Sequence, residues 1–385
     1  MIQRELAKAL IQFSTQYPVV TVTGPRQSGK TTLVKSIFTN HQYCNLENPE
    51  VRLLAEEDPK SFFNQFKKPL IIDEVQRVPD LLSWIQVQAD ESKRKGEWIL
   101  TGSHQFKLHE AITQSLAGRT ALLKLLPFSI AELSGEGVKL TKEEYMHKGF
   151  MPRIYDDNLD PSQAYSSYFQ TYIERDVRQL IQINNLTLFE KFIRLLAGRI
   201  GQPVNLHSLA NDVGVSSATL SGWLSILEAS YVIFTLPPYY NNFGKRLIKS
   251  PKLYFIETGL AAWLLGIEHL DQVLRDPLHG NLFENMVVVD ALKERLHSAR
   301  EPRLYFWRDN NRNEIDLVFE QQRRLVPIEI KSAMTWSNEF VKSISWFNRT
   351  LKSVDPGYVV YAGDIERKTE VYQSLHFSRI KEIMV

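Results

Sequence analysis

The sequence predicts an α/β protein in three parts. These are an N-terminal parallel sheet over residues 1–135, a largely helical middle over 136–255, and a second α/β region over 256–385. Three observations carry the prediction. The apolar runs PVVTVTG, QYCNL, KPLIID and EWILTGS alternate with helical patterns through the first third, and strands alternating with helices build parallel sheets. The breaker SGEG (134–137) introduces long helical stretches such as SQAYSSYFQTYIERDVRQLIQI and TLFEKFIRLLAGRIG. Beyond about residue 253 an apolar helix (281–296) precedes the strand-like runs RLYFWR, NEIDLVFE, LVPIEIKSA and GYVVYAG. A chain of 385 residues exceeds one ordinary domain.

Composition narrows the class. Hydrophobic residues make up 43% and charged residues 23%, as in a folded globular chain, and net charge is only +2. No global field draws such a chain to nucleic acid or anionic lipid, so any such contact needs a local patch. Cys44 is the only cysteine, which excludes an intramolecular disulfide and suits a reducing cytoplasm. The amphipathic start MIQRELAKALIQFSTQYP lacks the apolar core and cleavage site of a signal peptide. GLAAWLLGI (259–267) falls far short of the ~20 residues of a membrane span. A soluble cytoplasmic protein with no membrane partner is expected.

The first element with chemistry is the loop Gly24-Pro25-Arg26-Gln27-Ser28-Gly29-Lys30-Thr31-Thr32, set between a buried strand and a helix. It fills G-x-x-x-x-G-K-[ST] at every position. The glycines let successive N–H groups point at phosphate oxygens, and the helix N-terminus adds its positive end. Lys30 neutralises the β- and γ-phosphates of ATP, and the Thr31 hydroxyl ligates Mg²⁺. The strand KPLIID then ends in Asp73-Glu74, with Asp73 holding the magnesium through water and Glu74 orienting and activating the attacking water. That pair favours a hydrolase over a passive nucleotide binder, and over a small-molecule kinase, for which no acceptor lid is evident. Ser103 ends the core strand EWILTGSH, where it either touches the γ-phosphate or attacking water or caps a helix. Arg119 in QSLAGRT is either an arginine finger acting in trans within a ring or a surface charge.

GPRQSGKTT, LIIDEVQR, ILTGSHQF, SLAGR and LLPFSIAEL stand in the order of a large prokaryotic AAA-plus ATPase family. Its C-terminal landmarks follow here as GFMPRIY, YIERDVRQL, NLHSLANDVGVSSATLSGWLSILEASYVI, KLYFIETGLAAWLLG, GNLFENMVV and EIDLVFE with PIEIKSA. The chain resembles that family over nearly its whole length. The resemblance implies ATP binding and hydrolysis through Lys30, Thr31, Asp73, Glu74, Ser103 and Arg119. His104 departs from the Asn or Ser usual after the sensor-type serine.

Two further constellations follow. Leu206, Leu209, Ala210 and Val213 form one apolar helix face, Gly214 makes a turn, and Ser216 caps a second helix carrying Leu220, Trp223, Leu224 and Leu227 inward. With the β-like run after it, this predicts a winged helix over about 200–250. Its outward positions Ser217, Ala218, Ser221, Gly222 and Ser225 offer no side chain for bidentate base contacts. Lys245, Arg246, Lys249 and Lys252 come next, among Tyr239, Tyr240 and Phe243, and suit phosphate contact with base stacking. DNA bound mainly without base specificity is one expectation; a structural or protein-contacting role is the other.

The last constellation is Glu284 on a helix, Asp316 opening an apolar strand, and Glu329 with Lys331 on one face of another. Three carboxylates and a lysine can bind Mg²⁺ and activate water against a phosphodiester. The pattern resembles the PD-(D/E)XK nucleases and implies a restriction-endonuclease-like fold, which either cuts nucleic acid or serves as an inactive gripping or assembly module. The whole chain is expected to form homo-oligomers, as an ATP-driven enzyme acting on DNA or as an ATP-controlled interaction switch.

Overall fold

Val19–Thr23 (β1) is buried at every residue, as the apolar run demands, and it organises the N-terminal sheet. In the computed structural model, which describes residues 2–103, 112, 114–177, 186–239, 250–309, 311, 313–351 and 356–384, β1 lies between two parallel neighbours, Trp98–Gly102 (β4) and Thr120–Lys124 (β5). Leu70–Asp73 (β3) pairs with β4, and Gln42–Asn45 (β2) closes the edge, giving the order β2-β3-β4-β1-β5 with every pairing parallel. The helices Leu6–Ser14 (α1), Lys30–Ile37 (α2), Pro49–Glu57 (α3), Pro59–Gln65 (α4) and Leu81–Ser92 (α5) accompany it. One apolar layer gathers Val20, Val22, Val34, Ile71 and Ile99 with Leu6 and Leu10 of α1, and the other gathers Leu70, Ile72, Trp98 and Leu100 with Ile85 of α5. Cys44 is buried in the second layer, where desolvation pushes its thiol up to about 12. All four strands expected in this region are present, and β5 is a fifth.

The chain divides into two compact units. The first comprises Met1–Phe128 with Ala229–Tyr231 and Leu296–Arg300; the second holds the remainder. In the second unit, the helices Leu186–Ala197, Leu206–Val213 and Ser217–Ala229 precede the antiparallel pair Ile233–Leu236 (β6) and Lys252–Phe255 (β7). Gly214 takes the left-handed turn at φ 92°, and Thr219 N donates to Ser216 Oγ at 3.0 Å. Trp223 is core, set edge-on to Phe189 at 5.5 Å and packed on Phe192 at 5.6 Å.

The helix His279–His297 then leads into a mixed sheet of order β12-β11-β10-β9-β8. Leu304–Arg308 (β8), Glu314–Gln321 (β9) and Arg324–Lys331 (β10) are antiparallel; Gly357–Tyr361 (β11) and Tyr372–His376 (β12) add parallel strands after the helix Lys342–Leu351. No helix among the described residues is long and apolar enough to cross a membrane. His104, Tyr240, Phe243, Lys245, Arg246 and Lys249 lie outside the described residues.

Candidate active site at the phosphate loop

The loop between β1 and α2 has a backbone that only its sequence allows. Gly24 sits at φ 150°, and a Cβ there would meet Leu125 O at 2.0 Å. Gly29 caps α2 at φ 88° and Gln27 is left-handed at φ 63°. Ser28 Oγ is buried without a hydrogen-bond partner in the protein. The Lys30 side chain is folded back onto its own loop, Nζ donating to Gly24 O at 3.0 Å and Pro25 O at 2.7 Å. Burial lowers its pKa to about 8, against the pull of Glu74 and Asp73. An ammonium satisfied only by carbonyls, deep in a loop of N–H groups, is a receptor for phosphate oxygens.

The strand end β3 supplies the carboxylates. Thr31 Oγ1 stands 3.1 Å and 2.9 Å from the two Asp73 oxygens. Tyr43 OH, from β2, donates to Asp73 Oδ2 at 2.9 Å, and Thr101, from β4, donates to Oδ1. Both strands flanking β3 therefore hold Asp73. Burial and the neighbouring Asp73 raise the Tyr43 phenol above its ordinary pKa, so it stays a donor. Glu74 takes a left-handed turn at φ 57° off the strand, and its Oε2 accepts from Ser103 Oγ at 3.0 Å and from Gln76 Nε2. Gln76 also donates to Ser103 Oγ at 3.2 Å, while its Oε1 is buried without a hydrogen-bond partner.

Residues 16–134, which contain this whole site, match the AAA domain family. Proteins of Mycobacterium bovis and Mycobacterium tuberculosis, both described as uncharacterised, are 31% identical over 338 residues, spanning 86% of this chain and 74% of theirs. The chain belongs to one family with these mycobacterial proteins and carries an AAA domain. An uncharacterised protein of Methanocaldococcus jannaschii is 27% identical over 150 residues, or 38% of this chain and 31% of that one. Residues 140–271 and 279–380 match two domains of unknown function, DUF8612 and DUF4143. Among solved structures, the Walker-type ATPase of Pyrococcus abyssi aligns at TM-score 0.44 and 14% identity, covering 69% of this chain and 96% of its own. AMPPCP-bound DnaA from Aquifex aeolicus aligns at 0.29 and 16%, covering 58% and 85%.

This AAA protein is a P-loop ATPase. A hydroxyl and a carboxylate within hydrogen-bond distance are the oxygen donors a hard cation selects, so Thr31 and Asp73 suit magnesium. Arg119 sits elsewhere in the unit. It precedes β5, and since β1 and β5 are parallel with Val19 opposite Thr120, it lies at the strand ends away from the loop. Five residues of strand put it roughly 16 Å from the loop along the sheet. There it forms a two-pronged pair with Asp90, 2.7 Å and 2.8 Å, which holds the Asp90 carboxyl below its usual range.

Sequence reasoning missed Tyr43 and Thr101, whose roles come from strand adjacency rather than from any motif, and Gln76, which lies in the quoted run LIIDEVQR on the 3-10 turn after β3. It also missed Arg4. That side chain is 7% exposed, its guanidinium donating to Ser28 O at 2.7 Å and Leu126 O at 2.6 Å over the Phe128 ring.

The second unit brings the other constellation together around different partners. The β9–β10 register ends at Ile328 opposite Leu317, so Glu329 and Asp316 face each other one step on. Lys331 bridges them, 3.1 Å from Asp316 and 2.6 Å from Glu329. Burial pushes Glu329 up to about 8, with Asp316 adding to the rise and Lys331 opposing it. Burial also works against the Asp316 carboxylate, but Lys331 and Lys252 hold it below its usual range. Lys252 corrects the expectation of a DNA contact: its side chain is 2% exposed and paired with Glu284 at 3.0 Å and Glu314 at 2.5 Å. It lies on a strand whose four residues are all buried, so its charge is spent inside the domain.

Proposed function

We propose that this AAA protein hydrolyses ATP in a magnesium-dependent reaction and that DNA, held mainly without base specificity, is its partner. The observation that carries the ATPase chemistry is the paired arrangement at the end of β3, Thr31 with Asp73 and Glu74 with Ser103, beside the loop Gly24–Thr31. Bound magnesium would supply neutralisation of phosphate charge. Thr31 and Asp73 would hold it, and Lys30 would exchange the carbonyls of Gly24 and Pro25 for phosphate oxygens. Glu74 would orient water and take its proton, kept in place by Ser103 and Gln76. Arg119 would act on a neighbouring subunit of a homo-oligomer. Lys245, Arg246 and Lys249, following a winged helix with short outward side chains, support DNA contact.

The test is steady-state ATP hydrolysis with Mg²⁺, alone and with single-stranded, duplex and branched DNA, using Glu74→Gln as control. Stimulation by one DNA form, absent in the control and reduced by reversing the charges of Lys245 and Arg246, is the expected result. A basal rate indifferent to every DNA form favours the second reading, an ATP-controlled interaction switch. The observation on its side is the enclosure of Lys252, which removes one basic residue from the expected DNA-binding segment.

A further inference from the structure

Two of the C-terminal carboxylates, Glu284 and Glu314, enclose a lysine, Lys252. Lys252 and Tyr254 lie on the same side of β7, two residues apart, and both donate to Glu284 Oε1, at 3.0 Å and 2.6 Å. Glu284 cannot swing away easily, because its helix is pinned to backbone on either side of it. Asn285 exchanges two hydrogen bonds with Phe255, accepting from N at 2.7 Å and donating to O at 3.0 Å, and Asn281 donates to Ile200 O at 2.9 Å. Nζ of Lys252 also pairs with Glu314 and stands 5.6 Å from the centroid of the Phe306 ring. On the other side, Lys331 holds Asp316 and Glu329, and Asp316 accepts a further bond from Ile330 N at 2.8 Å.

Four carboxylates thus face two lysines, with Arg308 3.4 Å from Glu314. Among the described residues, no group of three or more His, Cys, Asp or Glu side chains is placed to hold a metal ion. A divalent cation entering here would meet two ammonium groups in a poorly screened interior, where like charges repel strongly. The donor set does not suit the magnesium that the nuclease resemblance implies.

We propose that Lys252 is a built-in cation that takes the place of a divalent metal, making the carboxylate cluster a lysine-held lock that joins β7, the helix His279–His297 and β9 and does not cleave phosphodiesters. The inference is independent of the phosphate loop.

The test titrates Mn²⁺ into the full chain and follows the free-ion EPR signal, in an Asp73→Asn background that removes the phosphate-loop ligand. The parent and its Asp316→Asn derivative should bind Mn²⁺ equally. Adding Lys252→Met to the parent should create one site at least about tenfold tighter than any in the parent, since each tenfold needs only ~1.4 kcal/mol, and adding Asp316→Asn to that variant should abolish it. A parent that loses a Mn²⁺ site on Asp316→Asn overturns the proposal, whether or not the Lys252 variant folds. So does a folded Lys252→Met protein, with unchanged near-ultraviolet circular dichroism, that gains no site. Asp316-dependent nicking of plasmid DNA by the wild-type chain would overturn it as well.

Discussion

Single side chains decide what the phosphate loop can hold. Tyr43→Phe and Thr101→Val each remove one hydroxyl from Asp73. Each is expected to raise the Mg²⁺ concentration for half-maximal hydrolysis by about tenfold, the lower end for loss of a partner behind a metal ligand. An unchanged Mg²⁺ dependence would remove Asp73 as the ligand. Lys30 sets a pH dependence of known sign. Its pKa without nucleotide is about 8, so the ammonium is present below that value and lost above it. The association constant for ATP should be level below pH 8 and fall toward tenfold per unit above it, as measured by calorimetry. Lys30→Arg, if it binds at all, should show no bend. Between pH 8 and the ordinary lysine value near 10.5 the unfolded chain holds a proton that the folded chain lacks, so this group's contribution to stability rises with pH there. Gly24, Lys30, Thr31, Asp73 and Glu74 are legible because their spacing follows from phosphate geometry. Tyr43 and Thr101 are not, because hydroxyls two strands apart become neighbours only once β2, β3 and β4 are in order.

At the scale of elements, strands with unbroken apolar runs announce themselves, and β1, β3 and β4 do so. β5 does not: TALLK alternates half-buried with buried residues and continues into LLPF, so length and period fail to separate it from its surroundings. The edge strand β12, YQSLH, has two buried residues in five and too little apolar content to be seen. Lys252 misleads for a related reason. Basic residues in a cluster imply surface, yet this one belongs to a strand whose neighbours need its charge inside. The loop joining β1 to α2 tolerates no side chain at Gly24. Gly24→Ala is expected to abolish nucleotide binding while the melting temperature of the second unit holds, a loss visible by fluorescent-nucleotide titration and calorimetry; retained binding would show that Leu125 can yield. The helix pair 206–213 and 217–229 rests on Trp223, and Trp223→Ala should cost about 3–5 kcal/mol by denaturant unfolding. A loss below about 1 kcal/mol, the range of surface changes, would contradict its packing on Phe189 and Phe192.

At the scale of the molecule, the order of motifs identifies an AAA ATPase, but a net charge of +2 leaves its partner to local patches. Arg119 lies at the strand ends opposite the phosphate loop, so any action on ATP requires a second subunit. Glu74→Gln and Arg119→Ala proteins, each inactive alone, are then expected to regain ATP hydrolysis when mixed. An Arg119→Ala protein with full activity, or a mixture that stays silent, would reduce that residue to the partner of Asp90. The AAA match begins at residue 16, which invites trimming the chain there to obtain a minimal ATPase. Arg4 makes that a poor choice. Its guanidinium ties the carbonyl of Ser28 to that of Leu126, so the loop between β1 and α2 is braced by a segment ahead of the recognised domain. A fragment starting at residue 16 would keep every motif residue yet lose this brace, and a weak hydrolysis rate from it would measure the trimming rather than the enzyme.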